Sequence, residues 1–396
     1  MLNHFSFRKG SSQHRLSTNN SFLQIKKAAI TLALMNSTDT IHAEVVLPTT
    51  ALRDDIPYFT TMLKMRMDMI YPADNPTVAV FSGHGLRIRL DQSAAGAAGL
   101  LRIHTDDADF AHGTVTSPGG TQITIDALNP SVVLPATDHA FVVRRLADHA
   151  PWVIGRAGMH YRDLIPSRLG GSIIASHIRI PDGGPVPDMV HFHRVGFQLI
   201  FCYRGWVDVL YEDQGGPIRL HAGDCFIQPP EIRHRVLEAS EGIEVIEIGV
   251  PAEHITEIDH VMQLPTPDLR PDREWQGQRF VHNIGKDAPW HPFRMSGFTA
   301  RDTTINDATK SVAGVQVVRR GQGATTPARH NADILFGFVM EGRMTLHGTG
   351  KNPFELSAGD AFVIPPDMET HWADPSDDLE VLEVSLPGAF RTTPRV

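Results

Sequence analysis

The stretch that decides the fold is GPVPDMVHFHRVGFQLIFCYRG, residues 184–205, followed by GDCFIQPPEIRH, residues 223–234. Side chains alternate between the two faces of a β-strand, so His191 and His193 point to the same side of the strand that holds them. A later strand, at the end of the second stretch, brings His234 toward the same space. The pattern therefore predicts three imidazoles that converge inside a β-barrel.

Converging imidazoles in a dry cavity form a strong site for a divalent transition metal. The alternative is a set of core histidines satisfied by hydrogen bonds, and an H-x-H pair with a third histidine favours the metal. Gln198 returns toward the same space after a turn and is the predicted fourth ligand. Because all four ligands are neutral, the charge of the ion stays uncompensated in a medium of low dielectric constant, which favours an anionic, bidentate substrate.

These residues resemble the two sequence motifs of the cupin superfamily. The first motif is matched by Gly184, His191, His193, Gln198 and Gly205, and the second by Gly223, Pro229 and His234. Two positions depart from the family pattern, since Gln198 stands where a glutamate is common and Glu231 stands where a glycine is common. The resemblance implies a jelly-roll barrel with a metal inside it.

Cupins with three histidines and no glutamate are similar to gentisate and salicylate dioxygenases and to diketone-cleaving enzymes, which use Fe(II). The resemblance thus implies an Fe(II) dioxygenase that cleaves a small chelating acid, either hydroxy-aromatic or diketone, with O2 as co-substrate. Mn, Ni or Zn are the other metals to consider. A non-oxidative cupin metalloenzyme (an isomerase or lyase) and a non-catalytic protein that binds a small ligand are the alternatives.

Polar residues near the motifs are candidates for substrate binding. His177 and Arg179 alternate on one strand, and if that face is the barrel interior, Arg179 is the residue that binds a substrate carboxylate. An exposed strand face is the equally weighted alternative. Arg194 and Arg233 adjoin ligands but should point away from them. Tyr203, Trp206 and Gln228 are candidates for the cavity wall, although ordinary packing is the simpler role for each.

Three blocks of the metal-binding segment recur later in the chain with nearly equal spacing. The blocks are FCYRG at 201–205, AGDCFIQPP at 222–230 and EVIEI at 244–248, and their counterparts are FVMEG at 338–342, AGDAFVIPP at 358–366 and EVLEV at 380–384. Short β-rich runs bounded by Gly, Pro or Asp are typical of antiparallel barrels. The repeat predicts a second jelly roll after a proline-rich linker at 265–273.

The second copy lacks most of the metal ligands. Alignment of Gly342 with Gly205 places Ala328, His330 and Leu335 at the positions of His191, His193 and Gln198, and places His371 one residue beyond the position of His234. Two histidines, with Asp333 as a further donor, are a weak metal site at best. We therefore interpret the second barrel as structural.

The segment before the barrels has the order strand, helix and three strands. The predicted elements are 41–47, a helix at 51–65 with Phe59, Met62 and Leu63 on one face, 67–71, 77–82 and 86–91. This βαβββ order resembles one module of the vicinal oxygen chelate family (glyoxalases and extradiol dioxygenases), in which His42 and Asp91 match the ligand positions. Without a second copy, we expect a packing or dimerising domain that holds no metal.

Composition narrows the class of protein. The net charge of −9 and the absence of a basic block argue against nucleic-acid binding. Cys202 and Cys225 are too few for a disulfide framework, which predicts a reducing, cytoplasmic location. The apolar run at 28–34 is too short to span a membrane, so we expect a soluble protein. Residues 1–38 are basic and free of acidic residues and read as a disordered extension, with a signal or transit leader as the alternative.

The predicted fold is therefore mainly β, with two tandem jelly-roll (cupin) barrels preceded by a small α+β βαβββ module. The predicted domains are an extension at 1–38, the βαβββ module at 39–150, the metal-binding barrel at 151–264 and the structural barrel at 265–396. A homo-oligomer is the expected assembly.

Overall fold

The computed structural model describes residues 43–395. The chain divides into two compact units, with the boundary between Ser131 and Val132. The predicted extension at 1–38 and His42 lie outside the described residues. No described helix is both long and apolar enough to cross a membrane.

The first unit has the predicted order of strand, helix and three strands. Its elements are the strand Val45–Pro48, the helix Leu52–Pro57, the π-helical turn Tyr58–Met62, and the strands Arg66–Tyr71, Val78–Gly83 and Leu86–Asp91. The first strand pairs in parallel with the last one, and the other pairs are antiparallel. A second sheet, which the sequence analysis missed, contains Leu100–His104, Gly113–Thr116 and Gln122–Asp126.

One face of the predicted helix differs from expectation. Phe59 and Leu63 are buried, but Met62 is 62% exposed. The backbone N–H of Leu63 bonds to the carbonyl of Tyr58, five residues earlier. This π-helical turn holds more residues than an α-helical turn, so Met62 rotates out of the buried face.

The first barrel consists of two facing sheets. The seven-stranded sheet has the order Val281–Asn283, Cys225–Ile227, Phe197–Arg204, Ile243–Val250, Ile174–Ile180, His160–Asp163 and Val153–Ile154. The second sheet has the order Ile218–His221, Trp206–Tyr211, His234–Ala239, His191–Arg194 and Ile255–Ile258, with Gly184–Pro185 paired to His234–Ala239. Cys202 and Cys225 are buried free thiols in this barrel.

The second barrel repeats this arrangement, as the sequence predicted. Its seven-stranded sheet has the order Trp290–Pro292, Phe298–Asp302, Gly314–Arg320, Glu380–Leu386, Ile334–Glu341, Ala361–Ile364 and Val142–Arg144. Its five-stranded sheet has the order Phe354–Ser357, Arg343–Gly348, Thr370–Ala373, Ala328–His330 and Thr392–Pro394. The remaining elements are the helix Ile305–Ala308, the hairpin Glu274–Trp275 with Gln278–Arg279, and four 3₁₀ turns, Leu146–Asp148, Arg156–Gly158, Arg168–Gly171 and Gly285–Asp287. The predicted mainly β fold is confirmed.

Each barrel completes the sheet of the other one. Val142–Arg144 precedes the first barrel but pairs with Ala361–Ile364 of the second. In return, Val281–Asn283 precedes the second barrel but pairs with Cys225–Ile227 of the first. Because Val142–Arg144 belongs to the barrels, the first unit ends at Ser131 rather than near residue 150. Strand exchange of this kind leaves no signal in hydrophobic periodicity.

Two buried arginines form equivalent hydrogen bonds between the barrels, one in each direction. Arg162 donates to the carbonyl of Gly359 at 2.5 Å, and Arg301 donates to the carbonyl of Gly223 at 2.7 Å. The two glycines occupy equivalent places in the repeat. The contacts between the two barrels therefore have approximate twofold symmetry.

A shared apolar core joins the two seven-stranded sheets. It includes Phe201 and Ile248 from the first barrel and Phe338 and Val384 from the second. Burial of these rings and branched side chains is the main term that holds the barrels together. Tyr203 adds a hydrogen bond of 2.9 Å to the carbonyl of Met340.

The core contact predicts the effect of a truncation in the second barrel. Phe338 is fully buried, and its ring centroid lies 5.1 Å from that of Tyr203. Phe338→Ala should lower the free energy of unfolding by about 3–5 kcal/mol because it leaves a cavity between the barrels. Val261→Ala, at a residue that is 90% exposed, is the control and should change it by less than about 0.5 kcal/mol. Equal effects in denaturant titrations would contradict the shared core.

Candidate metal centre

Three histidines meet inside the first barrel. His191 and His193 lie on the strand His191–Arg194, and His234 begins the adjacent strand, directly opposite His191 in the antiparallel register. The potential ligand atoms of the three rings all lie within 4.8 Å of one another, and all three residues are buried. In the described part of the chain, no other group of three or more His, Cys, Asp or Glu residues converges in this way.

Backbone carbonyls fix the orientation of two rings. Nδ1 of His191 donates to the carbonyl of Met189 at 2.7 Å, and Nδ1 of His234 donates to the carbonyl of Ile232 at 3.0 Å. A carbonyl only accepts, so in these neutral rings the proton is on Nδ1 and the lone pair is on Nε2. Nε2 of His191 is buried and has no hydrogen-bond partner among the described residues. This is the arrangement by which proteins orient histidine ligands.

The third ring is held by a neighbouring strand. Nδ1 of His193 lies 2.8 Å from the hydroxyl of Thr256, which is its partner in the strand register. Burial lowers the pKa of His193, His191 and His234, and the mutual proximity of the rings lowers the pKa of His193 and His234 further. All three rings are therefore neutral at pH 7, as metal coordination requires.

Gln198 is buried beside a carboxylate that the sequence analysis did not select. Its Nε2 donates to Oε1 of Glu247 at 2.7 Å. Its own Oε1 is buried and has no hydrogen-bond partner within residues 43–395. Glu247 lies on the strand Ile243–Val250 and lines the same cavity as His193 and His234. The only sequence signal for Glu247 is the alternation of side chains in EVIEI, which places Val245 and Glu247 on the same, inward face of the strand.

The cavity beside the histidines is small and mostly apolar. Its volume is about 80 Å³, and its apolar wall contains Met159, Ile178, Ile180, Ile200, Val207, Val209, Phe226, Val236, Ile243 and Val245. Its polar residues include Tyr161, Tyr211 and Gln228. Burial raises the pKa of Tyr161 to about 12, so this hydroxyl stays protonated at neutral pH.

An arginine that the sequence analysis also missed borders the cavity. Arg156 comes from the 3₁₀ turn Arg156–Gly158 and donates to Oδ1 of Asp188 at 2.6 Å. The same oxygen of Asp188 lies 3.6 Å from Nδ1 of His191. A positive charge thus stands at the cavity, linked through one carboxylate to a candidate ligand. No motif marks a residue on so short a turn.

Arg179, the residue expected to orient the substrate, lies at the edge of the cavity and packs on a tryptophan. Its guanidinium lies 4.1 Å from the ring centroid of Trp152. On its strand, Ile178 and Ile180 belong to the cavity wall, whereas His177 alternates with them and binds Glu244 at 2.5 Å. Arg179 borders the cavity, but its side chain is on the face of His177. Substrate binding by Arg179 stays a prediction, and its position on the face of His177 makes it the weaker candidate.

The other polar candidates divide between the cavity and the outside of the barrel. Gln228 lines the cavity and donates to the hydroxyl of Tyr211 at 2.8 Å. Tyr203 instead donates a hydrogen bond to the second barrel. The guanidinium carbon of Arg219 lies 3.6 Å from the ring centroid of Trp206 and covers this ring. The two arginines next to ligands point away from the cluster: Arg194 pairs with Glu257, and Arg233 pairs with Asp259 at 3.3 Å.

The equivalent positions of the second barrel do not assemble a cluster. Thr370, not His371, stands opposite Ala328 in the register. His371 points to the other face of its strand and binds the hydroxyl of Thr325 at 2.8 Å. Asp333 is engaged by Thr137 and His139 at 2.5 and 2.7 Å. Within residues 43–395, His330 therefore belongs to no group of three or more converging metal-ligating residues.

Comparisons with known proteins found one family model and a set of similar solved structures. Residues 314–385 match the family model of the cupin domain, and no curated protein matches the sequence. Similar solved structures include the salicylate 1,2-dioxygenase of Pseudaminobacter salicylatoxidans, which is 14% identical with a TM-score of 0.49 over 66% of this chain and 90% of that chain. They also include the oxalate decarboxylase of Lactobacillus farciminis in its formate complex, 16% identical with a TM-score of 0.48 over 66% and 91%. Residues 314–385 of the second barrel thus match a cupin domain, and the first barrel, which repeats the strand order of the second, holds the three histidines.

Proposed function

We propose that this chain is a metal-dependent dioxygenase that acts on a small chelating acid, with iron(II) held by His191, His193 and His234. The observation that supports this proposal most directly is the geometry of the three rings. Nδ1 of each ring is engaged in a hydrogen bond, and the potential ligand atoms of the three rings lie within 4.8 Å of one another. These three residues would hold the ion, and iron(II) held there would supply the chemistry for the reaction of the substrate with O2. The resemblance of the two motifs to dioxygenase cupins supports the same chemistry.

The donor set fits a divalent transition metal. The rings are neutral and buried, and Nε2 of His191 and Oε1 of Gln198 are buried without partners in the described structure. When bound, the metal supplies a Lewis-acidic centre and, as iron(II), a centre for activation of O2. Mn, Ni and Zn accept the same donors, so the identity of the ion is a matter for measurement.

Arg156 and Tyr161 are the residues we propose to bind the substrate. Arg156 uses one donor on Asp188 and retains others, and a guanidinium binds a carboxylate in a bidentate way. The protonated hydroxyl of Tyr161 donates a further hydrogen bond. The apolar wall excludes water from the remainder of the substrate and strengthens both contacts.

The size of the cavity favours a short acid. Its volume of about 80 Å³ is below the ~150 Å³ of an engineered cavity that accepts benzene. Within the class of chelating acids, a short keto or diketo acid therefore fits better than a hydroxylated aromatic acid.

A lyase or isomerase reaction without O2 is the second candidate. Tyr161 and Glu247 line the same cavity, and a protonated hydroxyl with a carboxylate forms a proton donor and acceptor pair. With Zn or Mn as the Lewis acid, this pair moves a proton on a keto acid.

Oxygen uptake separates these functions. Protein purified anaerobically and loaded with Fe(II) should hold about one metal per chain and consume O2 when short diketo acids are added. His193→Ala should hold little metal and consume none, because two of the imidazoles alone bind weakly. His371→Ala, at the partly exposed histidine of the second barrel, is the control and should match the parent in elemental analysis and in an oxygen electrode.

Each other outcome identifies an alternative. Turnover with Zn or Mn and no O2 uptake with Fe(II) supports the lyase or isomerase. Metal binding without turnover of any acid supports a ligand-binding protein. A parent that binds no metal contradicts both enzymatic functions and leaves a ligand-binding or purely structural protein.

The proposed role of Arg156 gives a further prediction, with oxalate as a probe of small chelating acids. Arg156→Met should weaken oxalate binding to the Zn-loaded protein about 10- to 100-fold, since charge-assisted hydrogen bonds contribute about 1.5–3 kcal/mol. Arg179→Met is the matched control and should leave the Kd of oxalate unchanged in calorimetric titrations. The reverse order of effects would restore Arg179 as the substrate-binding residue.

A further inference from the structure

The repeat places a glutamate at the same inward position of both barrels. Glu247 is the fourth residue of EVIEI and Glu383 the fourth residue of EVLEV. Their partners in the strand register, Ile200 and Gly337, are equivalent by the alignment of Gly205 with Gly342. The two carboxylates can therefore be compared directly, each in its own barrel.

In the second barrel this carboxylate binds an arginine. Nη1 and Nη2 of Arg294 donate to Oε1 and Oε2 of Glu383 at 2.5 and 2.6 Å, and Glu383 is buried. Arg294 borders the same small cavity as His330, the one histidine retained there. Burial, and after it the charge of Arg294, lowers the pKa of His330 to about 4. The guanidinium of Arg294 thus neutralises Glu383 next to His330.

In the first barrel the equivalent arginine is bound elsewhere. Trp152 and Arg156 have the same spacing as Trp290 and Arg294. Arg156, however, pairs with Asp188, and Glu247 forms no ion pair with any residue of the described chain. A partly buried carboxylate without a cation is unfavourable unless a cation is supplied.

Gln198 is held by this carboxylate. A carboxylate only accepts, so its contact with Glu247 fixes the amide with Nε2 toward Glu247 and Oε1 away from it. Oε1 is the buried oxygen without a partner in the described chain. In the second barrel Leu335 holds this position and provides no such link.

On the basis of the proposed metal site, we propose that Glu247 is the counter-charge of that metal and acts through Gln198, whose Oε1 faces the ion. Glu247 is thus a positioning residue: it orients the amide and makes the amide oxygen more negative, as second-shell carboxylates do for histidine ligands. Arg294 is the cation that replaces the metal in the second barrel.

The test is the affinity for Zn²⁺, measured by competition with a chelating indicator and independent of activity. Glu247→Gln should weaken binding about 10- to 100-fold. The double variant Gln198→Glu with Glu247→Gln moves the carboxylate to the other end of the same hydrogen bond and should recover most of the loss. A purely structural role for Glu247 predicts no such recovery.

Two further variants keep the outcome interpretable. Glu383→Gln breaks the ion pair of the second barrel and should lower the thermal midpoint without changing Zn²⁺ affinity. Gln198→Leu reproduces the second barrel and should weaken binding as Glu247→Gln does, even if the latter folds poorly. Parental affinity in Glu247→Gln or Gln198→Leu, or no recovery in the double variant, overturns this inference alone. If the parent protein itself binds no Zn²⁺, the proposed function is overturned.

Discussion

The structure depends on the antiparallel pairing that sets His191 directly opposite His234. This register brings imidazoles from two strands to one point, and the carbonyls of Met189 and Ile232 then fix the proton of each ring on Nδ1. A one-residue slip would turn every side chain of the strand to the other face. The second barrel keeps the equivalent register, with Thr370 opposite Ala328, but its histidine is one residue further along, and His371 therefore lies on the other face of the strand.

The two barrels share their cores and sheets but differ in what lies inside each of them. Strand exchange and the shared core tie each barrel to the other, and both arginines that reach across them bind carbonyls of equivalent glycines. In the second barrel the Arg294–Glu383 ion pair lies beside His330. The other barrel keeps an apolar cavity whose polar groups are few and held in place, which is the usual form of a small-molecule site.

The features that could be predicted from the sequence are those set by local rules. Alternation placed His191 and His193 on one face, and the repeated blocks predicted the second barrel. Alternation alone did not reveal which face is inside: Ile178 and Ile180 form the cavity wall, and Arg179, on the opposite face of the strand, lies at the edge of the cavity. Arg156 and Glu247 were missed because a short turn and one glutamate in an apolar strand carry no motif. Their roles depend on long-range packing, which periodicity does not encode.

The central claim is that three imidazoles share one metal ion. X-ray absorption spectroscopy of the Zn-loaded protein measures this directly through the multiple-scattering signal of coordinated imidazole. We expect three imidazole ligands with Zn–N distances of about 2.0–2.1 Å, completed by oxygen. A fit with one or no imidazole, or with sulfur in the ligand set, would contradict it.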